Sequence, residues 1–157
     1  MNKQLIDLLL EYKNDVTESK LPRLTWDTLF IGQALLNSFR SPSQKLQVGS
    51  VIVKENRIIS TGYNGFPRGC DHIPIVDNGH EINTIHAEVN AIVYVANSTQ
   101  TTRDSTIYIT HYPCINCAKT IIAAGIVAVK YLFDYNNDKN VKTMLDGVHI
   151  SVEQLKY

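Results

Sequence analysis

Apolar positions along the chain keep two rhythms, helical steps of three and four and short β-rich runs, and the two alternate. Leu5, Ile6, Leu8, Leu9 and Tyr12 fall on the helical rhythm and predict an N-terminal helix, with Asp15 to Arg23, containing Pro22, as its exit. Trp26, Leu29, Phe30, Ala34 and Leu35 predict a second helix over Thr25 to Phe39 with one buried face. Val48 to Lys54 and Arg57 to Gly62 are β-rich runs separated by Glu55-Asn56, a hairpin pattern. After Tyr63 the pattern lapses until Thr84. From there a helix is expected over Ala87 to Ala96, a strand over Thr106 to Thr110, a helix over Cys114 to Ala124 and a strand over Ile126 to Phe133. A helix over Asp138 to Asp146, closed by Gly147, and a strand over Val148 to Val152 complete the order. A hairpin followed by alternating helices and strands implies an α/β fold with a mixed sheet, and right-handed crossovers put the helices of consecutive units on one face.

Composition narrows the function. In 157 residues, 15 Lys plus Arg balance 15 Asp plus Glu, so nothing drives the multiple phosphate neutralisation of a nucleic-acid-coating protein. A substrate carrying one phosphate remains compatible. The longest apolar run, Ile121 to Val129, is far short of the ~20 residues of a membrane span. No repeat, low-complexity tract or long linker divides the chain, which is expected to be one domain over 1–157 with residues 1–23 as an N-terminal helix and loop extension. The polar start, without an apolar signal core, fits a cytoplasmic protein. Three cysteines, an odd number, make no disulfide framework and direct attention to metal.

The chemistry concentrates in His86-Ala87-Glu88 and Pro113-Cys114-Ile115-Asn116-Cys117, each opening a predicted helix. Cysteines three apart on a helix are separated by about 60° around the axis, so both sulfurs point the same way. The positive helix end favours their thiolate form. Pro113 suits the turn into that helix. Adding His86 makes three protein ligands, which leaves a tetrahedral zinc its fourth position for water, the pattern of a catalytic site. Glu88, two residues from His86, shares its face only at an open first turn. A redox dithiol predicts the Cys-x-x-Cys after an early strand, whereas here it lies late. A structural zinc needs a fourth ligand, and Cys70, His72, His80 and His111 sit at no recognisable ligand spacing.

His-x-Glu followed by Pro-Cys-x-x-Cys is the zinc nucleobase deaminase signature. Gly62-Tyr63-Asn64-Gly65-Phe66-Pro67-Arg68-Gly69, His86-Ala87-Glu88-Val89-Asn90-Ala91-Ile92, Pro113-Cys114-Ile115-Asn116-Cys117-Ala118-Lys119 and Ala124-Gly125-Ile126 closely resemble the deoxycytidylate (dCMP) deaminase family over roughly Trp26 to Val152. The resemblance implies the three-layer α/β/α cytidine-deaminase-like fold with a mixed five-stranded sheet, and hydrolysis of dCMP to dUMP and ammonia, which supplies dUMP for dTMP synthesis. It implies zinc on His86, Cys114 and Cys117, and Glu88 as the catalytic proton shuttle. It implies substrate binding by the Ala87 backbone at the base carbonyl, by Asn64 at the sugar and by the Tyr112 ring in the base pocket. Ser41, with Arg40 or Lys45, stands in the position of the family's phosphate-side loop. Several members are hexamers activated by dCTP with Mg²⁺ and inhibited by dTTP near the Gly62 to Gly69 loop, which marks Tyr63, Asn64 and Gly65 as allosteric candidates and a homo-oligomer as the expected assembly. Many relatives carry further cysteines for a second zinc, where this chain has Cys70, His72 and His80. Deamination of dCTP, of cytidine or deoxycytidine, or of tRNA adenosine is the alternative within the superfamily. A non-catalytic nucleotide-binding protein is the alternative outside it, against which Glu88 argues, since a scaffold has no use for a proton shuttle.

Overall fold

The computed structural model describes residues 3–78 and 80–156, and of His80 only the backbone. The elements in order are α1 (Lys3–Thr17), α2 (Trp26–Ser38), β1 (Gly49–Lys54), β2 (Arg57–Tyr63), β3 (Val76–Asp77), β4 (His80–Glu81), α3 (Ala87–Ala96), β5 (Thr106–His111), α4 (Ile115–Ala123), β6 (Ala128–Phe133), α5 (Lys139–Asp146) and β7 (Ser151–Gln154). Five strands form one sheet in the order β2-β1-β5-β6-β7, with β2, β1 and β5 antiparallel and β5, β6 and β7 parallel.

Side-chain alternation explains why this sheet is covered on both faces. Val51, Val53 and Tyr108 point to one side and pack with Phe30, Ile31 and Ala34 of α2. Ile52, Ile107, Ile109 and Val129 point to the other, against Ala91 and Val95 of α3, Ala118 and Ile121 of α4, and Val141 and Leu145 of α5. Each fully buried isoleucine contributes about 1.5–3 kcal/mol relative to exposure. The result is the expected three-layer α/β/α sandwich, with α3, α4 and α5 together on one face as right-handed crossovers require.

Local signals set most boundaries. Thr25 caps α2 by accepting a hydrogen bond from the Thr28 N–H at 3.1 Å, and Asp138 caps α5 through the Asn140 N–H at 2.8 Å. Glu55 and Asn56 both take left-handed backbone, φ 51 and 57, as a two-residue hairpin turn demands.

Two expectations are corrected. The stretch between Tyr63 and Thr84, where the pattern lapses, contains the β3–β4 hairpin, whose two-residue strands are too short to establish an alternation. The last strand begins at Ser151 instead of Val148, because the N–H groups of Val148, His149 and Ile150 still bond back to Leu145 and Asp146. The reversal falls at His149, φ 60, and only beyond it does the chain extend.

Candidate metal centre and active-site cavity

Two helix starts face each other at the carboxyl end of β5, the place where α/β sheets commonly bind ligands. His86 is the residue before α3 and Cys114 the residue before α4, both with extended backbone, φ −66, ψ 151 and φ −75, ψ 167. These are cap positions, yet neither side chain makes a capping hydrogen bond. Residues there that forgo capping leave helix stability of about 1 kcal/mol each unclaimed, and their side chains turn toward one another instead.

His86 Nδ1 lies 3.6 Å from Cys114 Sγ and 3.3 Å from Cys117 Sγ, and the three ligand atoms are all within 4.8 Å of one another. A tetrahedral ion with bonds of about 2.0 Å to nitrogen and 2.3 Å to sulfur separates nitrogen from sulfur by roughly 3.5 Å. The donor set and its spacing therefore fit zinc, with Nδ1 as the nitrogen ligand. A hydrogen bond from Cys117, and then one from His86, pulls the Cys114 thiol down to about 3 against the opposing effect of burial. The same bond to Cys114, together with burial, pushes Cys117 up. Hydrogen bonding to Cys114 and the nearby Glu88 carboxylate raise His86 against desolvation.

Glu88 sits in the first turn of α3 and is 4% exposed. Burial raises its carboxyl above the usual range, while His86 and its own backbone N–H oppose the shift. A buried carboxyl so held is more readily protonated than an exposed one, as a proton shuttle requires.

The sheet fixes this turn in place. Ser50 Oγ donates to the Ala87 carbonyl and Ser60 Oγ to the Ala91 carbonyl, each at 2.7 Å, and Asn90 Nδ2 donates to the Tyr63 carbonyl at 2.9 Å. At Gly62 a Cβ would collide with the Ala87 carbonyl and stand 2.7 Å from the Ala91 nitrogen, so glycine is what lets α3 lie this close. Gly65 and Ile85 exchange backbone hydrogen bonds at 3.1 and 2.8 Å, which fastens the loop after β2 to the residue before His86.

A cavity of about 320 Å³ opens beside these residues. His86, Ala87, Glu88 and Cys114 form its metal end, Ser43, Lys45, Leu46, Val48 and Asn64 one wall, and Glu81, Thr84, His111, Tyr112, Tyr135 and Asn136 the remainder. Of the sequence-predicted substrate residues, Ala87, Asn64, Tyr112 and Lys45 border it. Arg40 and Ser41 do not. Ser41 is buried, its Oγ accepting from the Ser43 N–H at 3.2 Å, and it is Ser43 that reaches the cavity. Asn64 takes a hydrogen bond from the Val48 N–H at 2.8 Å and gives one to the Leu46 carbonyl at 2.9 Å, so its amide holds the 46–48 wall as well as facing the space. The Tyr112 ring is packed edge-on to Tyr131, centroids 5.0 Å apart, within the main core. Tyr63 and Gly65 lie outside the lining. Cys70 is exposed and His72 stacks on Phe66. The His80 side chain lies outside the described residues.

Sequence reasoning missed Ser43, Leu46, Val48, Glu81, Thr84, Tyr135 and Asn136 as lining, and weighed His111 only as a spare metal ligand. The polar run Asp134-Tyr135-Asn136-Asn137 directly after a predicted strand was the available signal for two of them.

Residues 24–133 match the family model described as the cytidine and deoxycytidylate deaminase zinc-binding region. The chain belongs to that family. ComE operon protein 2 of Bacillus subtilis (strain 168) is 37% identical over 140 residues, 87% of this chain and 74% of that protein. Deoxycytidylate deaminase of Homo sapiens is 38% identical over 129 residues, 76% of this chain and 71% of that one. The crystal structure of dCMP deaminase from the cyanophage S-TIM5 in complex with dCMP and dUMP superposes with a TM-score of 0.75 at 30% identity, covering 81% of this chain and 94% of that chain. The chain is thus a member of a zinc-binding deaminase family with a cavity of about 320 Å³ beside His86, Cys114 and Glu88. Among the described residues no helix is long and apolar enough to cross a membrane.

Proposed function

We propose that this enzyme hydrolyses dCMP to dUMP and ammonia at the His86, Cys114 and Cys117 centre, with Glu88 as its proton shuttle. The single observation that carries the reading is the buried Glu88 carboxyl, two residues from His86 and hydrogen-bonded to Cys117, beside three ligand atoms that all lie within 4.8 Å of one another. Relatives named deoxycytidylate deaminase and the dCMP- and dUMP-bound cyanophage enzyme support the choice of substrate.

His86, Cys114 and Cys117 would hold zinc, the two thiolates balancing its charge. Zinc, when bound, supplies the Lewis acidity that makes water a nucleophile at neutral pH. Glu88 accepts the proton of the attacking water and delivers it to pyrimidine N3 as oxygen adds at C4. It then takes the proton of the hydroxyl added at C4 and passes it to the departing amine as the C4 carbonyl forms, so one carboxyl serves both transfers. The Ala87 backbone N–H, in the first turn of α3 where helix N–H groups lack intrahelical partners, donates to the base carbonyl. The remaining amide hydrogen of Asn64 serves the sugar, and Ser43 and Lys45 serve the phosphate. The 46–48 wall, held by Asn64, keeps water from the buried end.

The molecule is proposed to be one deaminase domain with residues 1–23 as an extension, to work in the cytoplasm with its three cysteines in no disulfide, and to assemble into a homo-oligomer, a hexamer as the resemblance implies. Control by dCTP with Mg²⁺ and by dTTP is proposed through Tyr63, Asn64 and Gly65. Asn64, which joins that loop to the cavity wall, supports the link. Saturation curves for dCMP should then change shape with either effector, and curves that stay hyperbolic and unchanged would remove regulation.

Ammonia release measured on dCMP, dCTP, deoxycytidine, cytosine and an adenosine-bearing RNA stem tests the reading. Turnover should be highest on dCMP; release confined to another member of the panel would reassign the enzyme.

A further inference from the structure

Three neighbours hold the ring of His111. Its ring lies 5.3 Å from that of Phe133, tilted at 47°, and 6.1 Å from that of Tyr135 in an edge arrangement at 85°. Its Nδ1 is 2.9 Å from Thr110 Oγ1. The remaining edge forms part of the cavity wall, and among the described residues its Nε2 has no protein partner.

Thr110 determines which ring nitrogen carries the proton. Its side chain is fully buried, and Oγ1 accepts a hydrogen bond from the Gly49 N–H at 3.1 Å, continuing the β1–β5 ladder beyond its last backbone pair. The hydroxyl proton then needs an acceptor, since a buried donor left unpaired costs about 1–3 kcal/mol. Among the described residues the one acceptor in reach is His111 Nδ1. Nδ1 must therefore present its lone pair, and a neutral imidazole with its lone pair at Nδ1 carries its hydrogen at Nε2. Burial lowers the pKa of His111, which favours the neutral ring. The outcome is an uncharged, unspent N–H donor at the cavity, with ring and tautomer both fixed, three residues from Cys114.

We propose that His111 is a substrate-positioning residue, donating a hydrogen bond from Nε2 to an oxygen acceptor of the bound nucleotide, with the Thr110 hydroxyl setting its tautomer. The inference rests on the nucleotide-deaminase reading for its ligand, but its tautomer does not. A neutral donor orients the substrate without adding a second positive charge beside the metal, and two aromatic neighbours spare it the ordering entropy of a free side chain.

The test uses the zinc-loaded full chain with ¹⁵N-labelled histidine, alongside His111→Phe, His111→Gln and Thr110→Val. The nitrogen spectrum of His111 should show Nδ1 unprotonated and Nε2 protonated; the reverse assignment would overturn the proposal without any reference to activity. His111→Phe keeps an aromatic ring among Phe133 and Tyr135 without the donor, and should raise KM for dCMP about tenfold with zinc content and melting temperature retained. His111→Gln, whose amide N–H reaches where Nε2 stands, should recover most of that loss. Thr110→Val should mix the tautomers and raise KM in the same direction. A Phe variant with unchanged KM, or Gln and Phe variants that behave alike, would contradict the proposal. Wild-type protein that binds zinc but leaves dCMP untouched would instead overturn the assigned substrate, and the spectrum would still decide the tautomer.

Discussion

At the scale of single residues, His86 and Cys114 occupy positions that usually go to Ser, Thr, Asp or Asn, and give up capping to converge on a common point. Replacing either Cys114 or Cys117 with Ala should abolish stoichiometric metal binding, and with it turnover, as metal analysis of the purified variants will read. Glu88→Gln keeps the shape of the side chain and removes its ability to take up and release a proton. Its turnover should fall by about 10³ or more with zinc retained, in line with the loss of a general acid–base. The metal ligands and Glu88 were legible from sequence because helix-start chemistry is local, and spacing alone brings Cys114 and Cys117 to one side. What was not legible is set by tertiary packing. Which histidine nitrogen faces the sulfurs, the turning of Ser41 into the protein while Ser43 faces the cavity, and the seating of the Tyr112 ring on Tyr131 all depend on neighbours distant in the chain.

At the scale of elements, the site depends on how closely α3 approaches the β1–β2 hairpin. Gly62→Ala would drive a methyl into the Ala87 carbonyl, displacing the turn that carries His86 and Glu88. Overpacking of this kind destabilises by about 1–3 kcal/mol, and kcat should fall more steeply than melting temperature, since the displaced residues are those of the reaction. On the opposite face, Asp27 of α2 accepts from Tyr108 Oη at 2.6 Å and pairs with Lys130 Nζ at 2.7 Å, while Glu153 lies 3.3 Å from the same Nζ. Partial burial raises the Asp27 pKa, but Lys130 and Tyr108 together hold it below its ordinary value of 3.8. A carboxylate with a depressed folded-state value stabilises the fold above its unfolded value and loses that contribution as pH falls through the folded one. Asp27→Ala should therefore lower the melting temperature at pH 7, and the deficit should shrink below about pH 4, as paired thermal melts will measure. Helices and central strands were readable because each keeps one period for several turns or residues. The β3–β4 hairpin was not, with two residues per strand, and the start of β7 was missed because Val148 and Ile150 have strand-like side chains on a backbone still turning out of α5.

At the scale of the molecule, the family region begins at residue 24, and α1 stands before it. Among the described residues α1 makes no contact with another element, and Leu8, Leu9 and Leu10 are exposed. Removal of residues 1–22 should leave the melting temperature and the kcat of the deaminase domain within error of the full chain; a cooperative loss of both would show that the extension belongs to the folded unit. The most direct check of the whole account is zinc content and ammonia release from dCMP, measured on the same samples of wild-type protein and Glu88→Gln. The expected result is about one zinc per chain in both, with rapid release only from the wild type. Wild-type activity without a transition metal, or a Gln variant that deaminates dCMP at the wild-type rate, would contradict it.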